Sequence, residues 1–234
     1  MSIRHKTRYR ASTASLIAAL TLSGGLLTAC GSGGGHVATA AAAHGQAHPA
    51  AHPTAQVSAE VALYTTMRTL WAEHMEWTWS TVVAFAADSP ALQPTLDRLL
   101  RNQADIGNAV APYYGEDAAK RLTELLTTHI EEAVPVLTAA KAGDKAALNK
   151  ATRAWYANAR DIGDFLAHAN PNWSRHDMRL MMRTHITQTL GYAGSVLGGD
   201  FKAAIATFDK AQTHMDGMAD MLSQGLIEQF PDKF

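Results

Sequence analysis

Four histidines and two aspartates carry the chemistry this chain could perform. His74, His129, His185 and His214 recur along its C-terminal three quarters, and Asp105 and Asp161 each stand twenty-four positions before a histidine. Imidazoles and carboxylates contributed by several helices are how helical bundles assemble ion sites, and an imidazole oriented by a carboxylate can also act as a general base. Asn102 and Asn158 sit three positions before the aspartates, and Met182, Met215 and Met218 lie in the last third of the chain. These five are candidate supporting or alternative ligands. Thioethers with imidazoles outside the cytoplasm point to copper first, while zinc or iron through His and Asp stays open. A methionine stripe at helical spacing is also ordinary adaptable packing.

The spacing of these residues is not random. Asn102, Asp105, Ile106, Gly107, Thr128, His129 and Ile130 are matched fifty-six positions on by Asn158, Asp161, Ile162, Gly163, Thr184, His185 and Ile186, and Gly143-Asp144 falls onto Gly199-Asp200. His74 lies fifty-five positions before His129, and His214 fifty-six after Asn158. A fixed period of this length marks a duplicated supersecondary unit. Asn, Asp and His at fixed places in apolar segments need a physical reason, because burying them without partners is costly.

The elements that must position these side chains read as helices. Gly and Pro fall between apolar stretches of helical period, and alternating β-branched segments are missing. Six helices are expected. The first runs from about Glu60 to Ala87, with Ser89 capping the second and Pro90 in its first turn. The second ends near Gly115, and the third runs from about Glu116 to Ala142, where Pro135 implies a kink or an earlier end. Gly143 stops the third and Asp144 caps the fourth. The stretch from Ala169 to Trp173 breaks the fourth from the fifth, which Ser174 caps, and Gly198-Gly199-Asp200 precedes a sixth that fades near Phe230-Pro231. The expected architecture is an all-α bundle of about six helices built from duplicated helical pairs. Each odd helix would point a histidine inward, the second and fourth would offer Asn/Asp pairs on one face, and the sixth would offer His214.

Residues 1–29 have a basic start at Arg4, Lys6, Arg8 and Arg10, then a largely apolar run from Ser15 to Leu27, as a secretory signal does. Leu27-Thr28-Ala29-Cys30 resembles the bacterial lipobox, which implies acylation of Cys30, the chain's single cysteine, and anchoring to the outer face of the cell membrane. Residues 30–57 then form a tether rich in Gly, Ala, His and Pro, with His36, His44, His48 and His52 spread along it. Residues 58–234 are the right size for one domain.

Leu70-Trp71-Ala72-Glu73-His74 with Trp77-Thr78, the two Asn-x-x-Asp-Ile-Gly segments, Trp155-Tyr156-Ala157-Asn158-Ala159 and the closing Gln229 to Phe234 resemble a bacterial family of exported or surface helical proteins without an established activity. The resemblance covers about residues 60–234. It implies the fold and the His/Asn/Asp positions but no substrate.

A formal net charge of −1 without a basic stripe argues against nucleic acid as a partner. The chain has no phosphate loop, no dinucleotide fingerprint and no G-x-S-x-G elbow, so nucleotide cofactors and α/β-hydrolase chemistry are unsupported. The leading expectation is an extracytoplasmic, membrane-anchored lipoprotein. It would hold a transition metal on His74, His129, His185, His214, Asp105 and Asp161, for storage, delivery or sensing and not for turnover. Two other readings stay open: a structural or partner-binding lipoprotein whose His, Asp and Asn are buried clasps, and a small-ligand or enzyme pocket with a His/Asp base. For clasps, the repeated separation of twenty-four suits Asp105 with His129 and Asp161 with His185.

Overall fold

The computed structural model describes residues 57–234, which form α1 (Ala59–Ala86), α2 (Leu92–Tyr114), α3 (Glu116–Ala142), α4 (Lys145–Ala169), α5 (Arg175–Leu197) and α6 (Phe201–Gln229), closed by a short 3-10 turn at Pro231–Lys233. No strand occurs among the described residues. The described residues form an all-α six-helix bundle. The signal segment, Cys30 and the tether histidines lie outside the described residues. No described helix is long and apolar enough to cross a membrane.

Local chemistry sets the helix ends. The side chains of Ser58, Asp144, Ser174 and Asp200 each accept from a backbone N–H in the first turn of α1, α4, α5 and α6, meeting donors the helix itself cannot satisfy. Gly143 and Gly199, the repeat-related stops, both take positive φ, at 69° and 77°, where a side chain would be strained.

Two boundaries differ from expectation. Asp88 adopts φ 50°, which lengthens the turn after α1; Ser89 Oγ then accepts from Ala91 N at 3.2 Å, and α2 begins only at Leu92. Pro90 therefore precedes the helix. Pro135 does not end α3, which continues to Ala142. The N–H missing at Pro135 frees the carbonyl of Glu131, which lies on the exposed face where water can reach it.

Consecutive helices pack side by side, and α6 returns to α1, so the six close into a ring. Across the interior, α1, α3 and α5 also touch one another. These three run in the same direction and carry His74, His129 and His185.

Candidate functional site

The three odd helices bring their histidines together in one layer of the core. His74, His129 and His185 are buried, at 2%, 2% and 3% exposure. The His185 ring lies 5.5 Å from that of His74 and 5.5 Å from that of His129, nearly parallel to the latter at 26°. Trp71 meets the His74 ring edge-on at 5.7 Å, and Trp155 lies 5.5 Å from His129. Trp155 also donates its indole N–H to the His129 carbonyl at 2.8 Å, tying α4 to α3 at the same level.

The fifty-six-residue period has a structural meaning. Asn102 Nδ2 donates to the Leu70 carbonyl at 3.0 Å, and Asn158 Nδ2 donates to the Leu125 carbonyl at 3.1 Å. His214 Nε2 donates to the Met181 carbonyl at 3.0 Å. Leu70, Leu125 and Met181 each lie four residues before a core histidine. One clasp thus occurs three times, once per helical hairpin, with Asn in the first two and His in the third. His214 is therefore a clasp between α6 and α5, and it spends its ring donor there.

The clasps also determine where protons sit on the imidazoles. Because Asn158 uses its N–H on Leu125, its Oδ1 faces His129 Nδ1, 2.9 Å away, and can only accept. His129 then carries its proton on Nδ1, and its Nε2 presents a lone pair with no protein partner. A ring anchored by a carbonyl at one nitrogen and free at the other can either ligate a metal or accept a hydrogen bond. In α2, Gln103 Nε2, held by the Leu99 carbonyl at 2.8 Å, approaches His74 Nδ1 at 3.3 Å as a donor. His185 Nδ1 has no protein partner at all.

All three rings are held neutral at pH 7. Burial, reinforced by the proximity of His129, pushes His74 down to about 3. Burial pushes His129 down to about 4, partly offset by Asn158. His185 is lowered well below the usual imidazole range, first by burial and then by repulsion from His74, His129 and His214. Neutral imidazoles keep the lone pairs that metals and hydrogen-bond donors require.

On the C-terminal side of this layer, the same helices enclose a cavity of about 340 Å³ bordered by all three histidines. Thr78 and Thr81 line it beside them, and Leu99, Ile130, Val136 and Ala193 form part of its apolar wall. No Asp, Glu, Lys or Arg borders it.

Several expected ligands stand elsewhere. Asp105 and Asp161 point outward, and Asp105 lies 3.8 Å from Arg98 at the surface. The buried face of α2 is centred on Leu99, Gln103, Ile106 and Val110, and a residue three after Asn102 falls off its edge; α4 repeats the pattern. The twenty-four-residue His/Asp clasps are therefore not formed. The pairs that form, Gln103 with His74 and Asn158 with His129, span twenty-nine residues each. Met182, Met215 and Met218 are fully buried core packing. Gln103 was not singled out from sequence, although its spacing from Leu99, Ile106 and Val110 marks it as inward.

Among the described residues, no group of three or more His, Cys, Asp or Glu stands arranged to hold a metal ion with the rings as they are. The chain matches no family model, no curated protein and no solved structure.

Proposed function

We propose that this protein is an extracytoplasmic lipoprotein, anchored through Cys30, whose bundle binds a transition-metal ion on His74, His129 and His185 for storage, delivery or sensing. The observation that carries the reading is the His129 tautomer: Asn158 anchors Nδ1 and leaves an unpartnered lone pair on Nε2, beside a second imidazole whose Nδ1 is also unpartnered. Buried polar atoms without a partner are costly unless something uses them.

The charge of the site selects among ions. Three neutral imidazoles with no carboxylate among them leave a divalent ion's charge largely uncompensated in a low-dielectric core, whereas a monovalent ion carries half that burden. Cu(I) is monovalent and accepts imidazole ligands, so it is the first choice over zinc or iron. Loading requires the three rings to turn about their side-chain torsions until their free nitrogens face one point. The adjoining cavity gives them room.

A second reading rests on the threefold clasp. Asn102, Asn158 and His214 fix the register of all three hairpins without any ligand, which is what a structural or partner-binding lipoprotein needs. The test is an anaerobic titration of Cu(I) against a competing chelator, on the protein and on its His129→Ala and His185→Ala variants. One tightly held copper per chain, lost in both variants while Asp105→Asn and Asp161→Asn retain it, supports the metal site. Copper retention that is nil, or unchanged by the histidine substitutions, favours the clasp reading.

A further inference from the structure

We infer that the cavity beside the histidine layer is a binding site for a small, uncharged, largely apolar molecule carrying one hydrogen-bond donor, with phenols and other hydroxylated aromatics as the best-matched class. The inference goes beyond the metal reading and does not depend on it, although both use His129 and His185.

Size comes first. An apolar cavity of about 150 Å³ suffices for benzene. The present one, at about 340 Å³, holds a fused two-ring molecule and falls at the small end of ligand pockets. Its lining runs from the buried histidines outward to Val134, Asn149 and Gly194, all exposed, so a path to solvent exists between α3, α4 and α5.

Charge is excluded by the walls. With no ionisable side chain other than neutral imidazole on the lining, an anionic or cationic ligand would lose its hydration without gaining a partner. A neutral polar group, in contrast, finds its complement at the inner end. His129 Nε2 can only accept, so the group it recognises must donate. Further along the same lining, seven residues past His74 on α1, Thr81 is 8% exposed and its hydroxyl has no protein partner. Thr189, on the α5 side of the same lining, is unpartnered as well, whereas Thr78, Thr123 and Thr128 all return their hydroxyls to the carbonyl four residues back. A ligand hydroxyl that donates to His129 Nε2 supplies the partner that nitrogen lacks.

The experiment is calorimetric or fluorescence titration of the chelator-treated protein with 2-naphthol, naphthalene and 2-naphthoate at neutral pH. Naphthol is expected to bind about five- to tenfold more tightly than naphthalene, the value of one neutral hydrogen bond. Naphthoate, charged at this pH, is expected to bind at least about a hundredfold more weakly than naphthol. Replacing the acceptor in His129→Phe should abolish naphthol's advantage over naphthalene. Ala193→Phe, which fills the cavity from α5 without touching the histidines' clasps, should abolish binding of both while the helical signal persists. Binding of none of the three probes, naphthoate binding as tight as naphthol's, or naphthol binding unaffected by Ala193→Phe would each overturn the inference. Copper retention measured on the same preparation separates the two claims: naphthol bound without copper retained leaves the cavity site standing alone, and copper retained without naphthol bound removes it alone.

Discussion

The histidine layer divides the bundle core into two halves that are packed very differently. On its N-terminal side, Met67 and Trp71 of α1, Leu122 and Leu126 of α3 and Met182 of α5 close up so completely that about 20 Å³ of space remains among them. On its C-terminal side the same three helices leave about 340 Å³. The closed half contains the large, adaptable residues, Met and Trp, which fill gaps between helices. The open half has no methionine on its lining, and small residues, Thr81, Ala133, Ala140 and Ala193 among them, leave gaps between its larger ones. One half stabilises the fold and the other leaves room for a ligand, with the polar layer at their boundary available to both.

Acid should break this comparison most severely, because it attacks the boundary. His74 at about 3 and His129 at about 4, with His185 also lowered, all lie below the unfolded-state imidazole value near 6.5. Between those values the unfolded chain binds protons that the folded chain refuses, so stability is complete above about pH 6.5 and falls as the pH drops through the window below it. Each histidine contributes a slope of about 1.4 kcal/mol per pH unit there. Urea midpoints measured from pH 8 to pH 4 should be flat at first and then fall steeply. The fall should be shallower in a His185→Phe variant that still folds, and an unchanged slope would show that the layer does not control acid stability.

Core truncations should sharpen the contrast. Leu126→Ala, in the closed half at 2% exposure, creates a new void and should cost about 3 kcal/mol or more. Leu137→Ala, half-buried at the wall of the open half, merely enlarges a space already present and should cost about 1 kcal/mol. Similar losses in the two urea titrations would mean that the halves are not packed differently in solution.

A smaller difference should separate two residues that looked alike in sequence. Asn158→Ala removes the donor to Leu125 and the acceptor for His129, leaving buried groups unpaired, and should cost about 2 kcal/mol. Asp161→Ala, three residues along the same helix but exposed, should change stability by less than about 0.5 kcal/mol. Thermal melts of the two variants side by side would show the difference.

Much of this architecture was legible in the sequence because the relevant signals are local. Ser58, Asp144, Ser174 and Asp200 cap helices through their own first turns, and Gly143 and Gly199 supply the positive φ that ends them. The inward direction of His74, His129 and His185 followed from helical period against neighbouring apolar residues. The errors arose where a conclusion needed more than one helix. Sharing a side with Asn102 or Asn158 did not make Asp105 or Asp161 inward, because the centre of the buried face depends on how adjacent helices pack. His214 was legible as a repeat position, but its clasping role was not, since Asn and His differ in type and only the Met181 carbonyl reveals what they have in common. The cavity had no sequence signal, because its volume is set by side chains from several helices at once.

The most direct test of the account is nitrogen-15 NMR of the imidazole rings near neutral pH, before and after adding Cu(I), which is diamagnetic and leaves the signals observable. The account predicts that His74, His129 and His185 are neutral, that His129 is protonated on Nδ1 with an unprotonated Nε2, and that this Nε2 signal shifts on loading. A His129 ring that is charged, or protonated on Nε2, or unaltered by copper while the metal is retained elsewhere, would contradict it.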